Sequence, residues 1–158
     1  MYDPEDNTCE YFGKYISHDL LEFLTYGGQK QQVVGQAEML PCLVARHVWQ
    51  DRLRGRAVLN YVDNEAARFA LIKCGSPTQD SAWIAAGFWR ADSDLRCHSW
   101  FGRVPSPSNL ADGPSRGKDL APIELGPNLH LVPKRVPVPA TWEDEFLWHW
   151  TSRTRDQW

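Results

Sequence analysis

Residues 58–64, V-L-N-Y-V-D-N, run without a break into Glu65-Ala66-Ala67-Arg68, and this junction constrains the chain more than any other. A mostly apolar, β-favouring run that meets an Asp-Asn pair and then an Ala-rich pattern predicts a buried strand, Arg56–Asp63, feeding a helix from Asn64 to about Lys73. The strand ends in a carboxylate, Asp63, that has no apolar surroundings to hide in. Open α/β sheets build their crevices at the carboxyl ends of strands, so Asp63 serves there either as a turn and cap residue or as a ligand holder.

Helical spacing is strongest over Gln31–Arg54, where Val34, Ala37, Pro41, Val44, Ala45 and Val48 form one apolar stripe and Gly55 stands where a helix should stop. Pro41 crowds the carbonyl of Ala37, which predicts a regular helix that starts near Ala37 or kinks there. Glu38 then falls in or beside the first turn, where the helix dipole favours a carboxylate. Downstream, Gly75-Ser76-Pro77 breaks the chain before a second helix, Gln79–Arg90, and Arg96–Val104 alternates as a strand closed by Pro105 and Pro107. Upstream, Cys9–Ser17 reads as a strand with Gly13 as its weak point, and His18–Tyr26 as a short helix ended by Gly27-Gly28. Asn109-Leu110-Ala111-Asp112 opens a late helix that Gly113-Pro114 must soon end. Strands and helices alternating in this way predict an α/β layered domain. From Gly117 onward Pro122, Pro127, Pro133, Pro137 and Pro139 space an extended segment, and Thr141 is placed to cap a last helix through Trp150. The expected division is one domain over 1–117 and a Pro- and Trp-rich extension over 118–158.

A length of 158 residues supplies one real core. With 17 Lys and Arg against 20 Asp and Glu, a net charge of −3 gives no bulk attraction to nucleic acid, so such a role needs a local basic patch. Arg46, Arg52, Arg54 and Arg56 are candidates for phosphate contacts, although a solvated helix face is the commoner fate of such a run. Cys9, Cys42, Cys74 and Cys97 form no C-x-x-C pair, which argues against a zinc ribbon and fits a reducing compartment, cytoplasmic or nuclear. No apolar run reaches the length of a membrane span. Trp49, Trp83 and Trp89 are expected in the core, Trp100 less firmly so, and Asn64 and Asn109 are expected to cap their helices.

Three carboxylates, Glu38, Asp63 and Asp112, thus take comparable places, at a helix start, a strand end and a helix start. They are 25 and 49 residues apart, so only the fold can bring them together. Clustered carboxylates repel one another unless a cation sits between them, and Mg²⁺ wants oxygen ligands. Two such ions about 4 Å apart serve phosphodiester cleavage by activating water and stabilising the leaving oxygen.

The blocks that carry these carboxylates are A-E-M-L with Glu38, V-D-N-E-A-A-R-F-A-L-I-K with Asp63, and R-V-P-S-P-S-N-L-A-D-G-P-S-R with Asp112. In this order they resemble the ribonuclease H-like domain that follows reverse transcriptase in retroelements, over residues 9–117. The resemblance implies an α/β fold with a mixed five-stranded sheet and flanking helices. It also implies Glu38, Asp63 and Asp112 as catalytic metal ligands, two Mg²⁺ or Mn²⁺ ions, and hydrolysis of the RNA strand of an RNA–DNA hybrid, in the company of a reverse transcriptase module. The family's first metal-binding Asp would fall at or before Met1, so the expected domain is N-terminally incomplete, with Asp3 and Asp6 near that place but without strand context. The family's late His is absent before Asn109. Two readings from other classes stand beside this one: a non-catalytic nucleic-acid-binding module of the same fold, and an interaction protein that docks on a polymerase through residues 117–158.

Overall fold

The computed structural model describes residues 1–25, 33–124 and 130–147. In chain order, these hold β1 (Tyr2–Asp3), β2 (Thr8–Tyr11), α1 (His18–Thr25), α2 (Val34–Val48), α3 (Gln50–Leu53), β3 (Ala57–Val62), α4 (Glu65–Lys73) and α5 (Gln79–Leu95). They continue with β4 (His98–Arg103), a 3-10 turn at Ser106–Ser108, α6 (Asp112–Ser115), β5 (Ile123–Glu124), β6 (His130–Leu131), β7 (Lys134–Arg135) and a helix α7 over 142–147. The protein is mixed α/β, with small sheets and flanking helices. Its chain falls into two compact units, 1–15 with 106–138 and 16–105 with 139–158, and neither is bounded at 117.

The larger unit grows from the strand read in the sequence. The apolar run becomes β3, and Asn64 caps α4 as expected, its Oδ1 accepting the Ala67 N–H at 3.0 Å. Helix α4 ends at Cys74 in the left-handed region, with φ 50°, whose N–H reaches the last-turn carbonyls. Helix α5 runs five residues past the expected Arg90. The added residues Ala91–Leu95 carry no strong apolar pattern, but Asp92 and Leu95 are buried, and that tertiary anchoring extends the helix. Arg96, at φ 55°, then turns the chain, and the Cys97 N–H bonds the Asp92 carbonyl at 2.8 Å. Strand β4 starts one residue later and lies parallel to β3, in register from Ala57 opposite His98 to Val62 opposite Arg103.

Helix α2 corrects one expectation. It is continuous through Pro41 from Val34 and so does not start at Ala37, because Met39, Leu40, Leu43 and Val44 are buried on one side while Pro41 is exposed. At about 1.5–3 kcal/mol for each large apolar side chain, that packing outweighs the bond lost at the Ala37 carbonyl. Helices α2 and α5 run side by side in the same direction, as two contacts fix: Gln36 Nε2 to Ser81 Oγ at 2.8 Å and Arg46 Nε to Asp92 Oδ1 at 2.9 Å. Because α5 reverses into β4 and β3 parallels β4, α2 is antiparallel to both strands.

The core of this unit is Phe88, Leu71, Ile84, Ala85, Leu20 and Leu24, all fully buried. Trp49 is buried as expected; Trp83 stacks on Phe23 at 5.3 Å, and Trp89, half-buried, donates its indole N–H to the Leu71 carbonyl. Ser17 caps α1, accepting the Leu20 N–H, and its hydroxyl donates to Glu143 of α7. The Glu145 N–H bonds the Thr141 carbonyl at 3.0 Å to begin α7; the expected continuation to Trp150 lies outside the described residues, as do Gly27-Gly28.

In the smaller unit the strands are two to four residues long. β2 pairs antiparallel with β1 and parallel with β7, and β5 pairs antiparallel with β6. The expected strand Cys9–Ser17 stops at Tyr11. A side chain at Gly13 would sit 3.0 Å from the Pro114 carbonyl oxygen, so any residue larger than glycine would need that backbone to give way slightly. Among the described residues no helix is long and apolar enough to cross a membrane.

Candidate functional site

The layer of α2, β3, α5 and β4 is fastened by one guanidinium. Arg46, only 3% exposed, donates from Nε to Asp92 Oδ1 at 2.9 Å, from Nη1 to Asn60 Oδ1 at 2.9 Å and from Nη2 to Ser99 Oγ at 2.7 Å. Its carbon stands 4.2 Å from the centre of the Phe88 ring, a cation–π contact that closes one face. Asn60 is oriented in turn by its Nδ2, which donates to the Trp100 carbonyl at 3.1 Å. The sequence placed Arg46 on a solvated face with Arg52, Arg54 and Arg56; burial against three polar partners corrects that placement, while Arg54 stays exposed. The signal was Asn60, a polar residue in the middle of an otherwise apolar strand, since a buried amide needs partners.

Glu38 and Asp63 take their places from this anchor. Glu38 lies eight residues before Arg46, about 12 Å along α2 at a helical rise. Asp63 lies three residues after Asn60, about 10 Å along the strand direction. Because α2 and β3 are antiparallel, both displacements lead toward the carboxyl end of the sheet. Both residues are half-buried. Glu38 is the fifth residue of α2 and not in its first turn, so the helix-dipole account of that carboxylate does not apply. Its charge is felt at Cys42: burial pushes that thiol up to about 11, with Arg46 pulling it down and Glu38 adding to the rise.

No family profile, curated protein or solved structure matches this chain.

Asp112 lies in the other unit, as the first residue of α6. Arg116, one turn on, holds it by Nε and Nη2, both 3.0 Å from Oδ1, with both side chains more than half exposed. Asn109 makes a local turn in which its Oδ1 accepts the Ala111 N–H at 3.0 Å, and Asp3 is buried in β1, its Oδ1 accepting the Glu5 N–H. Glu38 and Asp63 therefore belong to one unit, and Asp3, Asp6 and Asp112 to the other.

Oxygen-only donors suit a hard cation such as Mg²⁺, which binds through one or two carboxylates and keeps several waters. Among the described residues no group of three or more His, Cys, Asp and Glu side chains comes together. One further charged residue at the same end escaped the sequence reading. Arg103, paired with Val62 in the ladder, closes β4 with its side chain 67% exposed, and its Nε lies 4.0 Å from Glu65. Arg68, hydrogen-bonded to Glu65 at 2.8 Å, holds that carboxyl below the usual carboxylate range. The opposite face of the two strands is open, with Leu59, Tyr61 and Trp100 each more than half exposed.

Proposed function

We propose that this chain is a metal-dependent nuclease-type domain resembling ribonuclease H, acting on the RNA strand of an RNA–DNA hybrid in a retroelement setting. The observation that carries the reading is the common displacement of Glu38 and Asp63 toward the carboxyl end of the β3–β4 sheet, where α/β sheets build their sites. The order of the three sequence blocks supports it independently. In this reading Glu38 and Asp63 hold a divalent ion; the resemblance also names Asp112, which belongs to the other unit. The ion supplies Lewis acidity toward a phosphodiester. Arg103 presents a cation for a backbone phosphate beside that site. Asn64 caps α4 and turns its carbonyl oxygen inward, which leaves the work of ligation to Asp63.

Incubation of the full chain with an end-labelled hybrid and Mg²⁺ tests the reading. Cleavage of the RNA strand that stops with a chelator and falls below detection in Asp63→Asn and Glu38→Gln supports it; cleavage unchanged in both variants defeats it.

A second reading is a nucleic-acid-binding module without cleavage, which the open face of Leu59, Tyr61 and Trp100 favours, because exposed aromatic rings offer stacking surfaces to unpaired bases. Under that reading Trp100→Ala weakens hybrid or single-strand binding severalfold while Asp63→Asn leaves it unchanged.

A further inference from the structure

We infer that Arg46 is a positioning residue for the Glu38 and Asp63 pair: its guanidinium fixes how far α2 stands along β3 and so sets the spacing of the two carboxylates. This inference rests on the metal-site reading above.

Arg46 spends its donors on three different elements, reaching Asp92 on α5, Asn60 on β3 and Ser99 on β4. A planar fork holding three acceptors at 2.7–2.9 Å defines one geometry, whereas apolar side chains between a helix and a sheet tolerate sliding. Stability alone does not call for a charge here, because buried ion pairs replaced by packed hydrocarbon often leave a protein equally stable. The pair is even retained at a cost, since Asp92 keeps Oδ2 buried with no hydrogen-bond partner. What the fork adds is register. A slip of α2 by one residue is about 1.5 Å along its axis, enough to break all three contacts and to move Glu38 by the same amount. Mg²⁺ holds its ligands at about 2.0–2.1 Å in near-octahedral geometry and does not absorb such a shift.

The test uses the full chain carrying Arg46→Met with Asp92→Leu, which removes both charges and leaves no buried ion alone. A second variant, Asn60→Leu, removes the β3 contact together with the Asn60 bond to the Trp100 carbonyl, and keeps Arg46 on Asp92 and Ser99. Each is compared with the parent in two measurements. Pulsed electron resonance between spin labels at positions 38 and 63, in a background without other cysteines, reads the spacing itself. Calorimetric titration with Mg²⁺, carboxylates intact, reads the site. The expected result is a melting temperature within a few degrees of the parent, a label distance that shifts or broadens by about 1.5 Å or more, and Mg²⁺ affinity at least tenfold weaker. A folded variant of either kind with the parent's distance distribution overturns the inference. A parent chain that takes up no Mg²⁺, while the label distance still broadens in the variants, overturns the metal reading and upholds the positioning role.

Discussion

Residues 16–105 with 139–158 bury Phe88, Leu71, Ile84 and Ala85 completely, whereas in 1–15 with 106–138 the buried apolar side chains among those described are Leu131 and Pro114. The first unit has helices of up to 17 residues whose one-sided apolar faces meet a sheet. The second has strands of two to four residues joined by backbone pairs and exposed polar contacts such as Tyr11 to Asp119 at 2.8 Å. The same contrast holds for their ion pairs: Arg46–Asp92 is 2% exposed on both sides, and Arg116–Asp112 is 69% and 53% exposed. A unit with a core fixes its polar groups in one geometry; a unit without one leaves them in water, where they contribute little. Two of the three candidate ligands stand in the first kind of unit and one in the second.

The sharpest way to break this comparison is in the core. Phe88→Ala removes a fully buried ring and the cover of the Arg46 guanidinium, and should cost about 3–5 kcal/mol in chemical denaturation of the full chain. Arg46→Met by itself should cost a similar amount, about 3–5 kcal/mol, because Asp92 is left as a buried charge without a partner. Asn64→Ala, which uncaps α4, should lower stability by about 1 kcal/mol in the same assay.

A pH dependence also belongs to the larger unit. Burial holds the His47 imidazole below the usual histidine value, with Glu145 pulling the other way. The unfolded chain therefore takes up this proton first as pH falls. Stability is fully present above the unfolded pKa of about 6.5 and is lost as pH drops from there toward the depressed folded value. Thermal melts between about pH 7 and about pH 5.5 should show a decline that is shallower in His47→Gln. The smallest effect is expected in the other unit, where Arg116→Ala should leave the denaturation midpoint unchanged.

Much of the layer was legible in the sequence because it rests on local patterns. The apolar run and the Asp-Asn stop announced β3 and α4, and the alternation of Arg96–Val104 announced β4 within two residues at its start and one at its end. Long-range compensation is what local patterns miss. Pro41 breaks a helix by local rules, and four buried neighbours overrule it. Arg46 looks like its exposed arginine neighbours until Asn60, Ser99 and Asp92 are brought around it by the fold. Two-residue strands such as β5, β6 and β7 are too short to show an alternation at all. For the candidate site, residue types and order were legible, and the placement of Glu38 and Asp63 toward one end of one layer was not, because that placement depends on the direction of α2 against β3.

The most direct test of the central claim is calorimetric titration of the full chain with Mg²⁺, repeated on Glu38→Gln and Asp63→Asn with folding checked by thermal melts. Uptake of Mg²⁺ by the parent that is lost in both folded variants is the predicted result; equal uptake in all three chains would contradict it.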